Sequence, residues 1–551
     1  MYERYIKADL TNEKELYENY HIDAPDSFNY GFDVVDEIAR ETPDKLALLY
    51  TNPAGEERRF TFDDVRRQSN RAANYFKSLG IKKGDKVLAI LKRNYQYWFI
   101  NVGLCKLGAV IIPATAQLSA KDISYRCNAS GAKMILCCTD EHLLCEVEAA
   151  LKDSPTVERL AIVGKREGWL DLDEGLAAMS DTFDRPLGED AFTADDTMLI
   201  YFTSGTAGFP KMALHDFYYP LGHIATAKLW HTTREDDLHF TISDTGWAKA
   251  GWGKLYGQWL TGCAVFVYDF DRFHAKEILS IMEQYRITTF CAPPTMYRML
   301  TQEPVESYDL SSLRHCCSAG EPLNPEVWSD WKRQTGRSIY EGFGQSETTC
   351  CLGTLPHMQI KLGSMGKPMP GYRIELLDEE SNPCGEGTCG EICIQLDTGK
   401  PRGLFNGYYR DECLTEKVWH DGFYHTGDTA WKDSDGYYWF VGRADDIIKS
   451  SGYRIGPFEV ESALLEHPAV LEVAVTGEPD LVRGQAVKAT IVLKSGYVPG
   501  DELKKDLQNH VKRVTAPYKY PRVIEFTDAL PKTVSGKIKR AEIRQSYAAQ
   551  K

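Results

Sequence analysis

Between residues 201 and 211 the chain reads Tyr201-Phe202-Thr203-Ser204-Gly205-Thr206-Ala207-Gly208-Phe209-Pro210-Lys211. Glycine and small hydroxyl residues let backbone N–H groups approach phosphate oxygens, and serine and threonine add O–H donors. Lys211 supplies a positive charge. The chemistry on offer is phosphate binding; the plain alternative is a flexible Gly/Ser turn. The loop is not the P-loop of ordinary nucleotide hydrolases, which places four residues between its glycines and ends in Gly-Lys-Ser/Thr. Here Gly205 and Gly208 are three apart and Lys211 follows Pro210. A second group, Cys384, Cys389 and Cys393, is the nearest approach to a metal cluster. It lies in a Gly-rich turn and strand without a fourth ligand nearby, so metal binding is not expected there.

The elements that must position these residues follow an α/β rhythm. Residues 87–91, 110–112 and 133–137 read as buried strands, with helices over 95–107 and 120–129 between them, which predicts a parallel sheet covered by helices. The rhythm returns with strands at 199–202, 238–241, 264–268, 288–291 and 315–317 and a helix at 275–285. After about residue 356 short strands with Gly, Pro and Asp turns (372–377, 390–395, 437–441) predict a mostly antiparallel sheet or small barrel. The last hundred or so residues predict a compact α+β unit, with helices at 458–465 and 502–511 and strands at 471–475 and 487–493. The boundary is placed at residues 442–446. The fold class is therefore α/β: a large N-terminal domain over 1–442, then a small C-terminal one over 447–551.

Composition sets outer bounds. With 551 residues the chain exceeds the size at which one core stops growing. Its net charge of −15 argues against nucleic acid or anionic lipid as a partner. Fifteen cysteines, odd in number and without a CxxC pair, predict reduced thiols and a cytoplasmic location rather than disulfides. Residues 1–20 lack the apolar core of a signal peptide. The most apolar stretch, 87–116, is interrupted by Lys92, Arg93 and Lys106, so no membrane span is expected.

Further segments accompany the loop in order: Tyr340-Glu341-Gly342-Phe343-Gly344-Gln345-Ser346-Glu347, Tyr424-His425-Thr426-Gly427-Asp428, Gly442-Arg443-Ala444-Asp445-Asp446 and Pro531-Lys532-Thr533-Val534-Ser535-Gly536-Lys537. Together with residues 203–211 they resemble the signature set of the adenylate-forming superfamily, which includes acyl-CoA synthetases, firefly luciferases and the adenylation domains of peptide synthetases. The likeness covers nearly the whole chain. Residues 243–249 and 318–324 are most similar to the medium-chain acyl-CoA synthetases. One departure is Ala207, where relatives commonly carry Thr or Ser; it removes a hydroxyl donor to phosphate.

The resemblance implies roles. Thr203, Ser204, Gly205, Thr206, Ala207, Gly208, Phe209, Pro210 and Lys211 would hold the phosphates of ATP. Gly320, Glu321 and Pro322, with Glu341, Gly342, Phe343, Gly344, Gln345 and Ser346, would wall the adenine and ribose, and Tyr340 or Phe343 would stack on the base. Glu347 would hold Mg²⁺, its alternative being a solvated carboxylate. Asp428 would accept the ribose hydroxyls, its alternative being a turn cap, and Arg443 would meet the ribose and phosphates. Lys537 would be catalytic, its ammonium bridging carboxylate and α-phosphate, against a plain lysine in a basic tail. Thr203 and Glu347 join it in the catalytic set. Asp445 would be the hinge of a mobile lid (hinge 443–446). Ser451, Gly452 and Tyr453 would line a pantetheine tunnel, Arg454 would serve the nucleotide state, and Arg483 would meet a CoA phosphate or stand as an ordinary surface arginine.

Trp230, Trp247, Lys249, Trp252 and Leu255 fall where relatives line the acyl pocket. Lys249 is read either as a polar substrate contact or as a helix cap. Acetate-specific relatives carry Trp where this chain has Gly344, so an acid larger than acetate is expected. The implied function is ATP-dependent acid–CoA ligation. Carrier-protein loading, a luciferase-type reaction and a non-catalytic nucleotide-binding protein are the alternatives. The chain ends at Lys551 with no carrier module after it, which favours the free-standing ligase. A homodimer is kept open as its assembly.

Overall fold

A computed structural model describes residues 1–203, 210–397, 399–451, 453–532 and 538–548, with backbone only at 454 and 545–548. Ser204, Gly205, Thr206, Ala207, Gly208, Phe209, Gly452 and Lys537 lie outside the described residues.

Two sheets build the body. One runs Leu170–Asp171, Arg159–Ile162, Met134–Cys137, Lys86–Ile90, Val110–Pro113, Thr197–Thr203 and Lys211–Asp216 in space, parallel throughout except for the last pair. Its inner strands read as unbroken apolar runs because helices cover both faces. The second has nine strands. Its parallel centre is Ile339–Phe343, His315–Ala319, Thr289–Cys291, Leu238–Thr241, Ala264–Tyr268 and Leu46–Thr51, with antiparallel strands at either edge.

The helix Gln96–Leu107 is buried at every position. It therefore has no polar face, and only part of its apolar surface shows as a stripe in the sequence. Its one ammonium is fully paired: Lys106 Nζ meets Asp36 Oδ1 at 2.6 Å, Asn70 Oδ1 at 2.7 Å and Ser69 Oγ at 3.0 Å. Keeping a buried ammonium charged calls for pairing of this kind.

A third, antiparallel sheet joins Ile374–Leu377, Gly390–Gln395, Phe423–Lys432, Trp419–His420 and Tyr438–Arg443. The C-terminal α+β unit pairs Val470–Asp480 with Gly484–Leu493 and packs the helices Pro457–Leu465 and Asp501–Val514 on them. The sequence reading ends the first of these strands at 475, whereas the structure carries it through Gly477 and Pro479 to Asp480. Both sit inside the long hairpin, close to the tight turn that Asp480 closes by accepting from the backbone N–H groups of Val482 and Arg483 at 2.9 Å each. A proline is tolerated near a strand end. Among the described residues no helix is long and apolar enough to cross a membrane.

Candidate active site

The strands Thr197–Thr203 and Lys211–Asp216, on either side of the Gly/Ser-rich segment, form a hairpin. Thr203 pairs directly with Lys211 across its two strands. Lys211 Nζ lies 5.2 Å from the centre of the Tyr408 ring, a cation–π distance. Tyr408 also bridges Ala213 through its backbone, so it is fixed to the same hairpin.

The hydroxyl of Tyr408 donates to Oε1 of Glu347 at 2.9 Å in a buried contact. The backbone of Glu347 is held as well. Its carbonyl accepts from Phe405 N–H at 2.8 Å. The preceding Ser346 carbonyl accepts from His215 Nε2 at 2.8 Å. Burial pushes the His215 pKa down to about 4, so the ring is neutral at physiological pH and its proton sits on Nε2, facing that carbonyl. Burial also raises the Glu347 carboxyl above its ordinary range, opposed by the Tyr408 hydrogen bond and the positive charges of Lys211 and Arg443. A carboxylate buried this deeply calls for a cation. A hard divalent ion bound by oxygen suits that need, so the donor chemistry here fits Mg²⁺.

The Thr426-Gly427-Asp428 turn is a bulge. Glu391 pairs with Thr429 and Cys393 with His425, so a two-residue step on one strand faces a four-residue step on the other. A bulge re-aims the side chains it contains. Gly427 has φ +71°, and a Cβ there would meet Arg443 Nη2 at 2.7 Å, so only glycine fits. The bulge is pinned from behind: Glu391 Oε1 accepts the Gly427 N–H at 2.7 Å.

Re-aimed in this way, buried Asp428 meets Arg443 Nη1 at 3.3 Å and Gln345 Nε2 at 2.5 Å. Gln345 also donates to the Thr426 carbonyl at 2.8 Å and accepts from Tyr424 at 2.7 Å. Residues 345–347 thus link the phosphate-side hairpin to the carboxylate–guanidinium pair.

At the other end of the same segment, Glu341 Oε1 accepts from Leu323 N–H at 3.1 Å. Burial pushes the Glu341 carboxyl up to about 8. Gly320 and Glu321 are exposed and Pro322 is half-buried, just past the strand His315–Ala319. Tyr340 stacks on His315, with ring centres 4.5 Å apart. Phe343 lies 6.3 Å from Phe440 in a tilted contact.

The tryptophans gather beside this segment. Trp230 donates to the Glu341 carbonyl at 3.1 Å and meets Trp252 edge-on, with centres 6.4 Å apart. Alternate glycines admit them. A Cβ on Gly342 would strike Trp230 at 2.7 Å, and one on Gly344 would strike Trp252 at 2.5 Å and the Thr349 carbonyl at 2.3 Å. The space beside Gly344 is therefore filled by the Trp252 ring. Trp247 is half-buried at the start of the helix Ala248–Gly253, and Leu255 is buried. Lys249 donates to the Ala319 carbonyl at 2.8 Å, so it ties that helix to the end of the strand before Gly320.

The structure gathers Ser451 and Arg483: Ser451 N–H donates to the Arg483 carbonyl at 2.9 Å. Ser451 has φ +51° and follows Ser450, which pairs with Tyr453. Tyr453 is exposed and stacks on Tyr518 at 4.1 Å. Arg483 lies 3.6 Å from Asp480. The backbone of Arg454 pairs with that of Lys449. Asp445 lies 3.8 Å from Arg443 Nε. Its neighbour Asp446 is buried against Arg540 and Arg544, and Arg540 also forks onto buried Glu461 at 2.7 and 2.8 Å. Tyr408, Glu391 and His215 were not singled out from the sequence. A tyrosine after Gly407 and a glutamate after Gly390 give only a faint signal.

Helix-covered parallel sheets, with a lysine-bearing hairpin tied through Tyr408, Glu347 and Gln345 to a carboxylate-bearing bulge, define a nucleotide-binding α/β enzyme. The chain belongs to the AMP-binding enzyme family. That family's model matches residues 35–409, and the model of the AMP-binding enzyme C-terminal domain matches residues 459–537. The chain is 42% identical over 549 residues to the mitochondrial acyl-coenzyme A synthetase ACSM3 of Mus musculus, covering 97% of this chain and 93% of the relative. Among solved structures it is similar to the anthranilate CoA ligase AuaEII in complex with anthranoyl-AMP, with a TM-score of 0.86, 30% identity and coverage of 96% and 98%. It is also similar to an acyl-CoA synthetase of Brucella canis, with a TM-score of 0.72, 32% identity and coverage of 98% of each chain.

Proposed function

We propose that the chain is an acid–CoA ligase. A carboxylate oxygen attacks the α-phosphorus of ATP and pyrophosphate leaves; the sulfur of CoA then attacks the acyl carbon and AMP leaves. The observation that carries this reading is the continuous link from Lys211 through Tyr408 to Glu347, and from Gln345 to Asp428 and Arg443. Similarity along 97% of the chain to an acyl-coenzyme A synthetase supports it.

Within this reading Thr203, Lys211 and the loop between them bind the phosphates. Asp428 accepts the ribose hydroxyls and Arg443 adds positive charge between ribose and phosphates. Gly320, Glu321, Pro322 and residues 341–346 wall the base. Glu347 is the residue that would hold Mg²⁺, which when bound neutralises charge on the phosphates. The Lys537 ammonium offsets repulsion between the attacking carboxylate and the α-phosphate, an electrostatic contribution to the transition state.

Residues 1–442 form the adenylating body, 443–446 the hinge with Asp445 at its centre, and 447–551 a lid. In the second half-reaction the lid presents Ser451, Gly452 and Tyr453 to the pantetheine arm and Arg483 to a CoA phosphate, while Arg454 serves the nucleotide state. Trp230, Trp247, Trp252 and Lys249 border the acyl group, which is larger than acetyl. Fifteen free thiols support a reducing compartment such as the cytoplasm.

The test is pyrophosphate release over a panel of acids, with and without CoA. Thioester should form only when CoA is present. Lys537→Ala should lose adenylate formation and keep the thioester step from preformed adenylate. Undiminished pyrophosphate exchange in that variant would sink the reading.

A further inference from the structure

We propose that Glu391, Cys393 and His425 form a binding site for one zinc-class divalent ion, and that an ion held there weakens nucleotide binding at the adjoining bulge. The second half rests on the ribose-binding reading given above.

The backbone register brings the donors together. Cys393 and His425 are directly paired across two strands, and Glu391 lies two residues before Cys393. Their donor atoms all fall within 4.8 Å of one another. Nδ1 of His425 is 3.4 Å from Cys393 Sγ and 3.1 Å from Glu391 Oε2. Tetrahedral zinc, with bonds of about 2.0–2.3 Å, sets its donors roughly 3.3–3.6 Å apart. The two distances from Nδ1 are close to those of a formed site, and the third pair lies within 4.8 Å.

Hydrogen bonding alone accounts for the cluster poorly. A single Nδ1–H faces both a sulfur and a carboxylate oxygen, while His425 Nε2 is buried with no partner among the described residues. The ring is held in place from its face, by His420 stacked at 3.8 Å and 15°. One sulfur, one imidazole and one carboxylate suit zinc better than magnesium or calcium. Glu391 is 27% exposed at its side chain, so a water can complete the coordination. On binding, the thiol releases its proton to solvent and the imidazole proton sits on Nε2. Cys384 and Cys389, read with Cys393 in the sequence, are not part of the group.

The link to nucleotide binding is Glu391. Its Oε1 holds the Gly427 N–H at 2.7 Å, next to Asp428. An ion drawing on this carboxylate weakens the support of the bulge that aims Asp428.

The experiment uses the full-length enzyme without substrates. Co²⁺ is titrated as the probe and then displaced by Zn²⁺. One equivalent of Co²⁺ should bind with a thiolate-to-metal absorption band. The band should be lost in Cys393→Ala. Glu391→Gln, which keeps an acceptor for Gly427, should weaken Co²⁺ at least about tenfold, as removal of one zinc-site partner commonly does. ATP affinity, read by calorimetry, should fall several-fold when stoichiometric Zn²⁺ is present in the wild type and stay constant in Cys393→Ala. Absence of the band, or its survival in Cys393→Ala, overturns the site. Unchanged ATP affinity in the zinc-loaded wild type overturns the coupling. A protein that holds the ion through Cys393 yet never binds ATP would refute the ribose reading, and the coupling with it, while the metal site stands.

Discussion

Tyr408 and Glu347 meet through a 2.9 Å hydrogen bond that is buried on both sides, while the same tyrosine ring carries Lys211 on its face. One side chain thereby sets the direction of a buried carboxylate relative to the phosphate-loop hairpin. Tyr408→Phe keeps the ring and removes the donor. Stability should fall by about 1–2 kcal/mol in denaturant unfolding, the usual effect of stripping a buried acceptor of its partner. The Mg²⁺ concentration for half-maximal pyrophosphate exchange should rise several-fold. An unchanged Mg²⁺ requirement would show that the hydroxyl does not orient the carboxylate for the ion.

Glu341 gives a pH signature. Its folded pKa of about 8 lies above the ordinary glutamate value, so the native state keeps a proton that the unfolded chain gives up. Its contribution to stability is full below about pH 4.5 and is lost as pH rises through 8. Over that window it lowers stability by at most about 1.4 kcal/mol per pH unit. Glu341→Gln should flatten the slope of unfolding free energy against pH between 5 and 8 by about that amount. A slope identical to wild type means the carboxyl ionises normally in the fold.

The acyl side turns on the pair Trp252 and Gly344. Trp252→Leu should open the space beside Gly344 and raise relative kcat/KM for longer or aryl acids, at a stability cost of about 2–4 kcal/mol. Gly344→Trp has no room while Trp252 and the Thr349 carbonyl stay in place. It should cut activity with every acid, and most with the longest. A substrate panel for each variant checks both outcomes.

Asp428→Asn retains the shape of the bulge and removes the charge opposite Arg443. The KM for ATP should rise at least about tenfold, since a charge-assisted contact contributes about 1.5–3 kcal/mol. The KM for the acid should stay within about twofold. A matched rise for both substrates would point to a general loss of packing instead.

Much of this architecture is legible in the sequence, and the boundary of legibility has physical causes. Strands at 238–241, 264–268 and 390–395 are found where the apolar runs put them, because each is short, buried and bounded by turn residues. The N-terminal strand Leu46–Thr51 and the helix Phe62–Ser78 were not read, although the helix announces itself with a Thr61–Asp64 capping box. The phosphate loop and the Gly427–Asp428 turn could be found because glycine at close approach leaves a compositional trace. Tyr408 and Glu391 leave only a faint one: their roles arise from partners 61 and 36 residues away in the chain. The filled space beside Gly344 was equally hidden, since a missing side chain does not tell which neighbour moves in.

The clamp around Arg540 has a last consequence. Lys532 is tied to Glu472 at 2.6 Å, and its backbone bridges Ile538. Arg540 is locked onto Glu461 and Asp446. Both shores of the segment that bears Lys537 are thus moored to the C-terminal unit. On the proposed lid motion, Lys537 would be carried with the whole C-terminal unit, and its arrival would be a matter of docking a whole vessel. Catalytic timing should then answer to substitutions at the quay, around Asp446, as strongly as to changes in the crossing itself.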